Sequence, residues 1–254
     1  MNATTPPPRR RDFEAGWRER FREFAEDRDD DAGIAGWTVS GLDARIRRFR
    51  DLWRPGAAND AWLDAGCGAG TYSRMLAEHG ARVIGVDYSP LALAKARERS
   101  VADIDYVVAD VRRLPFRPRT FDGVVCFGVT QALSDGAPAI AELSALVRPG
   151  GLLWIDALNR WCVVHLAAAG RRKLRGRPVH LRYDSPSTIL RLLARAGMTE
   201  IELHWMPILP RRLQRWQGWC ETSFARSVLR HVPLVGLFGC HAFLVRCRRP
   251  AASP

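Results

Sequence analysis

The residues best suited to hold a ligand form a glycine-rich turn, DAGCGAG, over residues 64–70. The turn follows a short apolar run that predicts a β-strand, and it precedes a helix predicted to begin at Thr71. Glycines in that setting let a ligand approach the backbone closely, because no Cβ atom stands in the way. The turn therefore predicts a ligand site at the carboxyl end of the strand.

Two carboxylates follow the next two predicted strands. Asp87 ends the segment VIGVD, 21 residues after Gly66, and Asp110 ends the segment VVAD. A carboxylate at the first position can accept hydrogen bonds from both hydroxyls of a ribose, and the second is placed to meet an adenine edge. Together with the sharp helix-to-strand turn predicted at 149–151, they indicate a nucleoside cofactor.

The spacing of the glycines separates two classes of cofactor. Dinucleotide sites use G-x-G-x-x-G and place a pyrophosphate at a helix N-terminus, whereas this turn reads G-x-G-x-G. Asp64 stands directly before the glycines, where its carboxylate would repel a pyrophosphate and attract an ammonium group. S-adenosylmethionine (SAM) carries an ammonium, a ribose and an adenine without any phosphate, and it fits these residues better.

Apolar runs that alternate with helical segments surround these residues. The runs that predict the first five strands cover 61–65, 82–86, 104–108, 121–127 and 151–157. Helices are predicted near 71–79, 90–99, 137–147 and 185–197, with two further strands at 199–206 and 239–247. Near-continuous apolar strands between helices are typical of a parallel sheet that is covered on both faces. We therefore predict an α/β fold with a seven-stranded, mostly parallel sheet.

In this order the motifs resemble those of the class I SAM-dependent methyltransferases, in the branch that acts mostly on small molecules. The similar segments are LDAGCGAG, VIGVDYS, VVADVRRLPF, FDGVVCFGVTQAL and LVRPGGLLWI, within about residues 58–158. The resemblance implies a Rossmann-like fold, SAM as the cofactor and S-adenosylhomocysteine as the product.

The resemblance also implies which residues contact the cofactor. They are Asp64, Gly66, Cys67, Gly68, Asp87, Tyr88, Ser89, Asp110, Val111 and Phe127. The first four would surround the methionine part. Asp87 would hold the ribose, with Tyr88 and Ser89 beside the ribose and adenine. Asp110 and Val111 would border the adenine, and Phe127 would lie near the sulfonium.

The sequence assigns no catalytic residue. Methyl transfer from a sulfonium is an in-line displacement, so the enzyme mainly positions the acceptor and excludes water. A general base helps when the acceptor is a hydroxyl. Candidates for a base or an acceptor contact are Gln131, His165, His180, Tyr183, His204 and Glu221.

The segment after the fourth strand argues against several specialised chemistries. It reads Phe127-Gly128-Val129-Thr130, which has no carboxylate for a metal, although Asp156 follows the fifth strand. We therefore predict no metal. The segment also lacks the Asn/Asp-Pro-Pro-aromatic motif of enzymes that methylate amino groups of nucleic acids. Cys126 lacks the preceding proline of cytosine-C5 enzymes.

Length and composition suit one globular domain with additions. The 254 residues divide into a predicted disordered arm at 1–11, an N-terminal helical cap at 12–57 and a methyltransferase domain at 58–254. Within that domain we predict a basic insertion at 158–184 and a helical segment at 208–231. Six scattered cysteines show neither disulfide nor zinc spacing, so the cytoplasm is the expected compartment.

The positive charge lies almost wholly in the last third of the chain. The net charge is +12, and residues 159–254 carry 17 basic against four acidic side chains. Such a field attracts anionic partners, although a merely solvated basic face would have the same composition. The segment 208–231 also carries an apolar stripe from Leu209 to Val228. This pattern fits either a helical lid or a basic amphipathic helix on the inner face of a membrane.

The favoured function is methyl transfer to oxygen or nitrogen of a small-molecule or lipid-like acceptor, anionic acceptors included. Two alternatives stay open at this point. One is an RNA methyltransferase, suggested by the basic last third and opposed by the missing nucleic-acid motifs. The other is a non-catalytic SAM-binding protein, opposed by the intact set of cofactor motifs.

Overall fold

The computed structural model describes residues 10–101, 103–176, 181–209 and 211–251. Its strands are β1 (Ala61–Ala65), β2 (Arg82–Asp87), β3 (Asp105–Val108), β4 (Phe121–Cys126), β5 (Val147–Leu158), β6 (Thr199–Met206) and β7 (Ala242–Arg248). They form one sheet in the order β3-β2-β1-β4-β5-β7-β6. The first five strands pair in parallel, and β7 runs antiparallel between β5 and β6. The predicted fold class is confirmed.

Helices cover both faces of the sheet. They are α1 (Arg10–Asp27), α2 (Asp31–Ile34), α3 (Val39–Leu52), α4 (Thr71–Glu78), α5 (Pro90–Arg99), α6 (Ala137–Leu146), α7 (Val163–Leu174), α8 (Pro186–Arg195), α9 (Gln217–Cys220), α10 (Ser223–His231) and α11 (Pro233–Gly239). A 3₁₀ turn occupies Thr130–Ala132, and a longer 3₁₀ segment occupies Arg211–Trp216.

Neighbouring residues in each central strand pack into different apolar clusters. In β1, Leu63 joins the cluster that contains residues of α6 and α8, while Trp62 joins the cluster that contains residues of α3 and α4. Val124 and Val125 of β4 divide in the same way. Successive side chains of a strand point to opposite faces, so an unbroken apolar run serves two cores at once.

The N-terminal helices differ in detail from those predicted. The first helix begins at Arg10, inside the predicted arm, and residues 1–9 lie outside the described residues. It ends at Asp27, and α2 starts separately with Asp30 accepting a hydrogen bond from the Gly33 N–H at 2.7 Å. The third helix starts at Val39, because Thr38 Oγ1 caps it by accepting from the Gly41 N–H at 3.1 Å.

The last third departs most from the prediction. The predicted insertion 158–184 contains α7, while residues 177–180 lie outside the described ranges. The segment 208–231 is not one helix but a 3₁₀ turn followed by α9 and α10. Thr222 starts α10 anew by accepting from the Ala225 N–H at 3.2 Å. The predicted stripe is therefore no single buried face, and Phe224 is 78% exposed.

No helix within the described ranges combines the length and the apolar character needed to cross a bilayer.

We predict that Gly123→Ala destabilises the sheet. An added Cβ in β4 would lie 2.4 Å from the ring of Trp62, which is only 3% exposed and has no room to move. Overpacking of this kind lowers the free energy of unfolding by about 1–3 kcal/mol. The measurement is chemical unfolding followed by circular dichroism.

Gly170→Ala is the matched control, because a Cβ on this α7 residue meets no described atom within 4 Å. It should raise the free energy of unfolding by about 0.5–1 kcal/mol, since alanine is the better helix former. Equal stabilities of the two variants would contradict the packing described for β4.

Candidate functional site

A cavity of about 120 Å³ lies at the carboxyl ends of β1, β2, β3 and β4, with α1 along one side. The ends of neighbouring parallel strands meet at one edge of the sheet, so loops that are distant in the sequence converge there. Nine of the ten predicted cofactor residues line the cavity: Gly66, Cys67, Gly68, Asp87, Tyr88, Ser89, Asp110, Val111 and Phe127. Asp64 is not among the described residues that line it.

Gly66 and Gly68 of the turn line the cavity, but they differ in the space beside them. Gly66, Gly68 and Gly70 all have positive φ angles, of 78°, 52° and 78°. A Cβ on Gly66 would lie 2.2 Å from Val129 Cγ2, whereas a Cβ on Gly68 would meet no described atom within 4 Å. Gly68 therefore leaves open space beside the main chain, where a ligand can approach the turn.

Asp87 joins the glycine turn to β2. Its carboxylate accepts hydrogen bonds from the Gly68 N–H at 3.0 Å and from the Ser89 N–H at 2.9 Å. Burial raises the pKa of Asp87, and these backbone donors oppose the rise. Each carboxylate oxygen keeps a second lone pair, so the group can still accept from ligand hydroxyls.

Asp64 lies beneath the turn. Its carboxylate is 2% exposed and accepts a hydrogen bond from Ser73 Oγ of α4 at 2.7 Å. Burial raises the pKa of Asp64 to about 7, although the hydrogen bond from Ser73 opposes the rise. The contact with a ligand ammonium that the sequence suggested stays a prediction.

Asp110 is held by two arginines. Arg112 donates to its two oxygens from Nε at 2.9 Å and from Nη2 at 2.6 Å, and Arg18 of α1 donates from Nη2 at 2.9 Å. The hydrogen bonds from Arg112 hold the pKa of Asp110 below its usual value. The carboxylate stays ionised, and the arginines compete with an adenine amino group for its oxygens.

The first helix forms a wall of the cavity, a role that the sequence analysis did not assign. Glu14 accepts hydrogen bonds from Arg112 Nη1 and from Ser134 Oγ, each at 2.5 Å. Trp17 and Phe21 also line the cavity. The signal available in the sequence is a set of aromatic residues spaced by four, four and three positions, which places them on one face of a helix without indicating its partner. They are Phe13, Trp17, Phe21 and Phe24.

A buried ion pair lies beside the part of the cavity that Phe127 and Gly128 line. Arg45 Nε of α3 donates to Asp156 Oδ2 of β5 at 3.0 Å, and the two side chains are 5% and 1% exposed. The other oxygen of Asp156 accepts from the Gly128 N–H at 2.6 Å. The Arg45 guanidinium lies 4.3 Å from the centre of the Trp37 ring. The pair therefore fixes the segment that follows β4, including Phe127.

The candidate bases lie elsewhere. None of the described candidates Gln131, His165, Tyr183, His204 and Glu221 lines this cavity, and His180 lies outside the described residues. The imidazole of His165 lies 2.7 Å from the Asn159 carbonyl oxygen and 2.8 Å from His241 Nδ1, so both of its nitrogens have partners. No group of three or more metal-binding side chains occurs within the described ranges. Metal independence stays a prediction.

Comparison with known proteins places the chain in a family. A family model for a methyltransferase domain matches residues 63–155. The ubiquinone biosynthesis O-methyltransferase of Methylocella silvestris is 36% identical over 149 residues, which cover 55% of this chain and 58% of the relative. That of Aromatoleum aromaticum is 32% identical over 61% of this chain and 70% of the relative. The malonyl-[acyl-carrier protein] O-methyltransferase of Serratia marcescens is 41% identical, over 38% of this chain and 37% of the relative.

Solved structures share the fold at lower sequence identity. A SAM-dependent methyltransferase from Mesorhizobium loti superposes with a TM-score of 0.60 at 22% identity, covering 82% of this chain and 100% of that one. The phosphoethanolamine N-methyltransferase 2 of Haemonchus contortus, in complex with SAM, gives a TM-score of 0.60 at 22% identity over 91% of this chain and 60% of that one. The chain thus belongs to the class I SAM-dependent methyltransferases.

Proposed function

We propose that this protein transfers the methyl group of SAM to an oxygen atom of a small-molecule acceptor. The observation that carries the proposal is the convergence of nine cofactor-type residues, from four strand ends, on one cavity. The choice of oxygen rests on the relatives, since those compared above by sequence are named O-methyltransferases. The matches span 58% and 37% of the first two relatives, so activity and acceptor are proposals for this chain.

The residues of the cavity fit SAM by their chemistry. Asp87 offers a fixed carboxylate for ribose hydroxyls, and Gly68 leaves open backbone for the methionine part. The ring of Phe127 offers an aromatic face to a sulfonium cation. When bound, SAM supplies a methyl group on a sulfur that is already a good leaving group. The chain has only to orient the acceptor in line and exclude water.

We propose an acceptor oxygen that is already ionised. The carboxylates that line the cavity are Glu14, Asp31, Asp87 and Asp110, and each accepts hydrogen bonds from the protein. A hydroxyl acceptor could still use the remaining lone pair of one of these carboxylates as a base, whereas a carboxylate or an acidic phenol needs no base. The excess of basic side chains in residues 159–254 would attract an anion, which supports the proposed anionic acceptor.

We further propose that the last third contacts anionic membranes. Trp219, Phe224 and Leu234 are 71%, 78% and 64% exposed on α9, α10 and α11. Arg226 and Arg230 lie on α10 between them in the sequence. Apolar side chains among arginines are typical of helices that lie in a membrane interface. Such a contact would bring a lipid-like acceptor to the enzyme.

The test of the reaction is formation of S-adenosylhomocysteine with a panel of acceptors. We expect turnover with phenolic or carboxylic acceptors and a mass gain of one methyl group on oxygen. Activity should persist in excess EDTA, since methyl transfer from SAM needs no metal here. Turnover with RNA but not with small molecules would replace this proposal by the nucleic-acid alternative. Loss of activity in EDTA with recovery in Mg²⁺ would contradict metal independence.

The test of the cofactor site is Asp87→Ala, with binding of S-adenosylhomocysteine measured by calorimetry. The variant loses two charge-assisted hydrogen bonds, each worth about 1.5–3 kcal/mol, so the affinity should fall at least about tenfold. Asp87→Asn keeps the shape of the side chain and should lose less. Asp103→Ala removes an exposed carboxylate and should bind like the unmodified protein. Unchanged affinity in Asp87→Ala would remove this residue from the site.

The test of membrane contact is sedimentation with vesicles of phosphatidylglycerol or phosphatidylcholine. The double variant Trp219→Ser/Phe224→Ser should bind the anionic vesicles at least about tenfold more weakly, because each buried side chain contributes about 1.5–3 kcal/mol. Salt should weaken binding of the unmodified chain. Val101→Ser, which changes an exposed apolar residue near β3, is the control. Equal binding by both variants would exclude the proposed surface.

A further inference from the structure

A second cavity, of about 790 Å³, lies at the β6 edge of the sheet. It is bounded by α3, β6, α9 and α10. Its volume is within the range of about 300–1,000 Å³ that is usual for small-molecule sites. The two linings have no described residue in common, so this cavity is separate from the cofactor site.

Basic side chains dominate the polar part of this lining. They are Arg48, His204, Arg226, Arg230 and His231, against the carboxylates Glu202 and Glu221. Both carboxylates are already paired with arginines from outside the lining. Glu221 accepts from Arg47 at 2.8 Å and 2.9 Å, and Glu202 accepts from Arg246 at 3.1 Å. The pairing leaves the positive charge of the cavity in excess.

Arg48 and Arg230 carry that excess. Arg226 forms an ion pair with Asp51 at 2.6 Å, but neither Arg48 nor Arg230 has a carboxylate within ion-pair distance in the described part of the chain. The Nε of Arg48 is also buried without a hydrogen-bond partner among the described residues. A buried donor of this kind costs free energy until an acceptor reaches it, and a ligand oxygen is such an acceptor.

His204 is affected by burial and by the same excess of charge. Burial and the charge of Arg48 together lower the pKa of His204 to about 4, although Glu202 lies 3.4 Å from its Nε2. Burial also lowers the pKa of Arg48, with the charge of Arg226 as the second cause. An anion in the cavity would favour the charged form of both groups.

The lining also has an apolar part. It includes Leu52 of α3, Leu203 and Trp205 of β6, and Leu229 of α10. An inorganic ion would leave these side chains facing water. A ligand with an apolar body would cover them and gain from their burial.

We propose that the second cavity binds an amphiphile with an oxyanion head, a phosphate or a carboxylate. Arg48 and Arg230 hold the head, and Leu52 and Leu229 contact the apolar body. The ligand is distinct from the methyl acceptor, because the described lining of this cavity does not reach the cofactor residues. The proposal is independent of the methyl-transfer reaction proposed above.

The test is calorimetric titration of the full chain with octyl phosphate, octanoate and octanol. Octyl phosphate or octanoate should bind one-to-one, and their relative affinities identify the preferred head group. Arg48→Met should weaken that binding at least about tenfold, the loss expected for one hydrogen bond to a charged group. Arg50→Met changes an exposed arginine on the same helix outside the lining and should have less than about a twofold effect.

Binding of S-adenosylhomocysteine by Arg48→Met should be unchanged, which shows that the variant is folded and that the two sites are separate. Should that variant fail to fold, Arg230→Met serves instead, since Arg230 is exposed. Any of three results would overturn the proposal. The first is that octanol binds as tightly as the anions, and the second is that Arg48→Met and Arg50→Met lose equal affinity. The third is that octyl phosphate displaces S-adenosylhomocysteine.

Discussion

The buried ion pair between Arg45 and Asp156 is the interaction on which the site depends. It joins α3 to β5, and Asp156 also holds the Gly128 N–H directly after β4. Removing either partner would leave the other as an unpaired charge in the core, which lowers the free energy of unfolding by about 3–5 kcal/mol. The third helix is thereby fixed to the sheet beside the segment that follows β4.

The third helix links the two cavities. Leu42 lines the cofactor cavity, and Arg48 lies in the second cavity almost two turns further along the helix. Phe49, the residue after Arg48, is fully buried and packs edge-on against Phe127 and Trp154, with ring centres 5.2 Å apart in both cases. One helix therefore contributes to both linings and to the aromatic cluster that contains Phe127.

Local patterns predicted the elements of the sheet and most of the cofactor loops. The bounds of β1 and β6 match the predicted ones because apolar runs and turns are encoded by neighbouring residues. The hydrogen bond from Ser134 to Glu14 joins residues 120 positions apart, and no spacing rule indicates such a pair. The second cavity was missed for the same reason, since its walls come from residues 44–52 and 202–231. The segment 208–231 was predicted as one helical stretch, because an apolar stripe does not show where a cap such as Thr222 starts a new helix.

The position of α1 has a kinetic consequence. The cofactor cavity, at about 120 Å³, is well below the 300–1,000 Å³ of usual ligand sites, and Glu14 and Arg18 hold the helix over it. A ligand larger than the cavity would have to displace α1, and the contacts of these side chains with Arg112 and Asp110 would then break. Salt weakens partly exposed ion pairs of this kind, so entry by that route would depend on ionic strength.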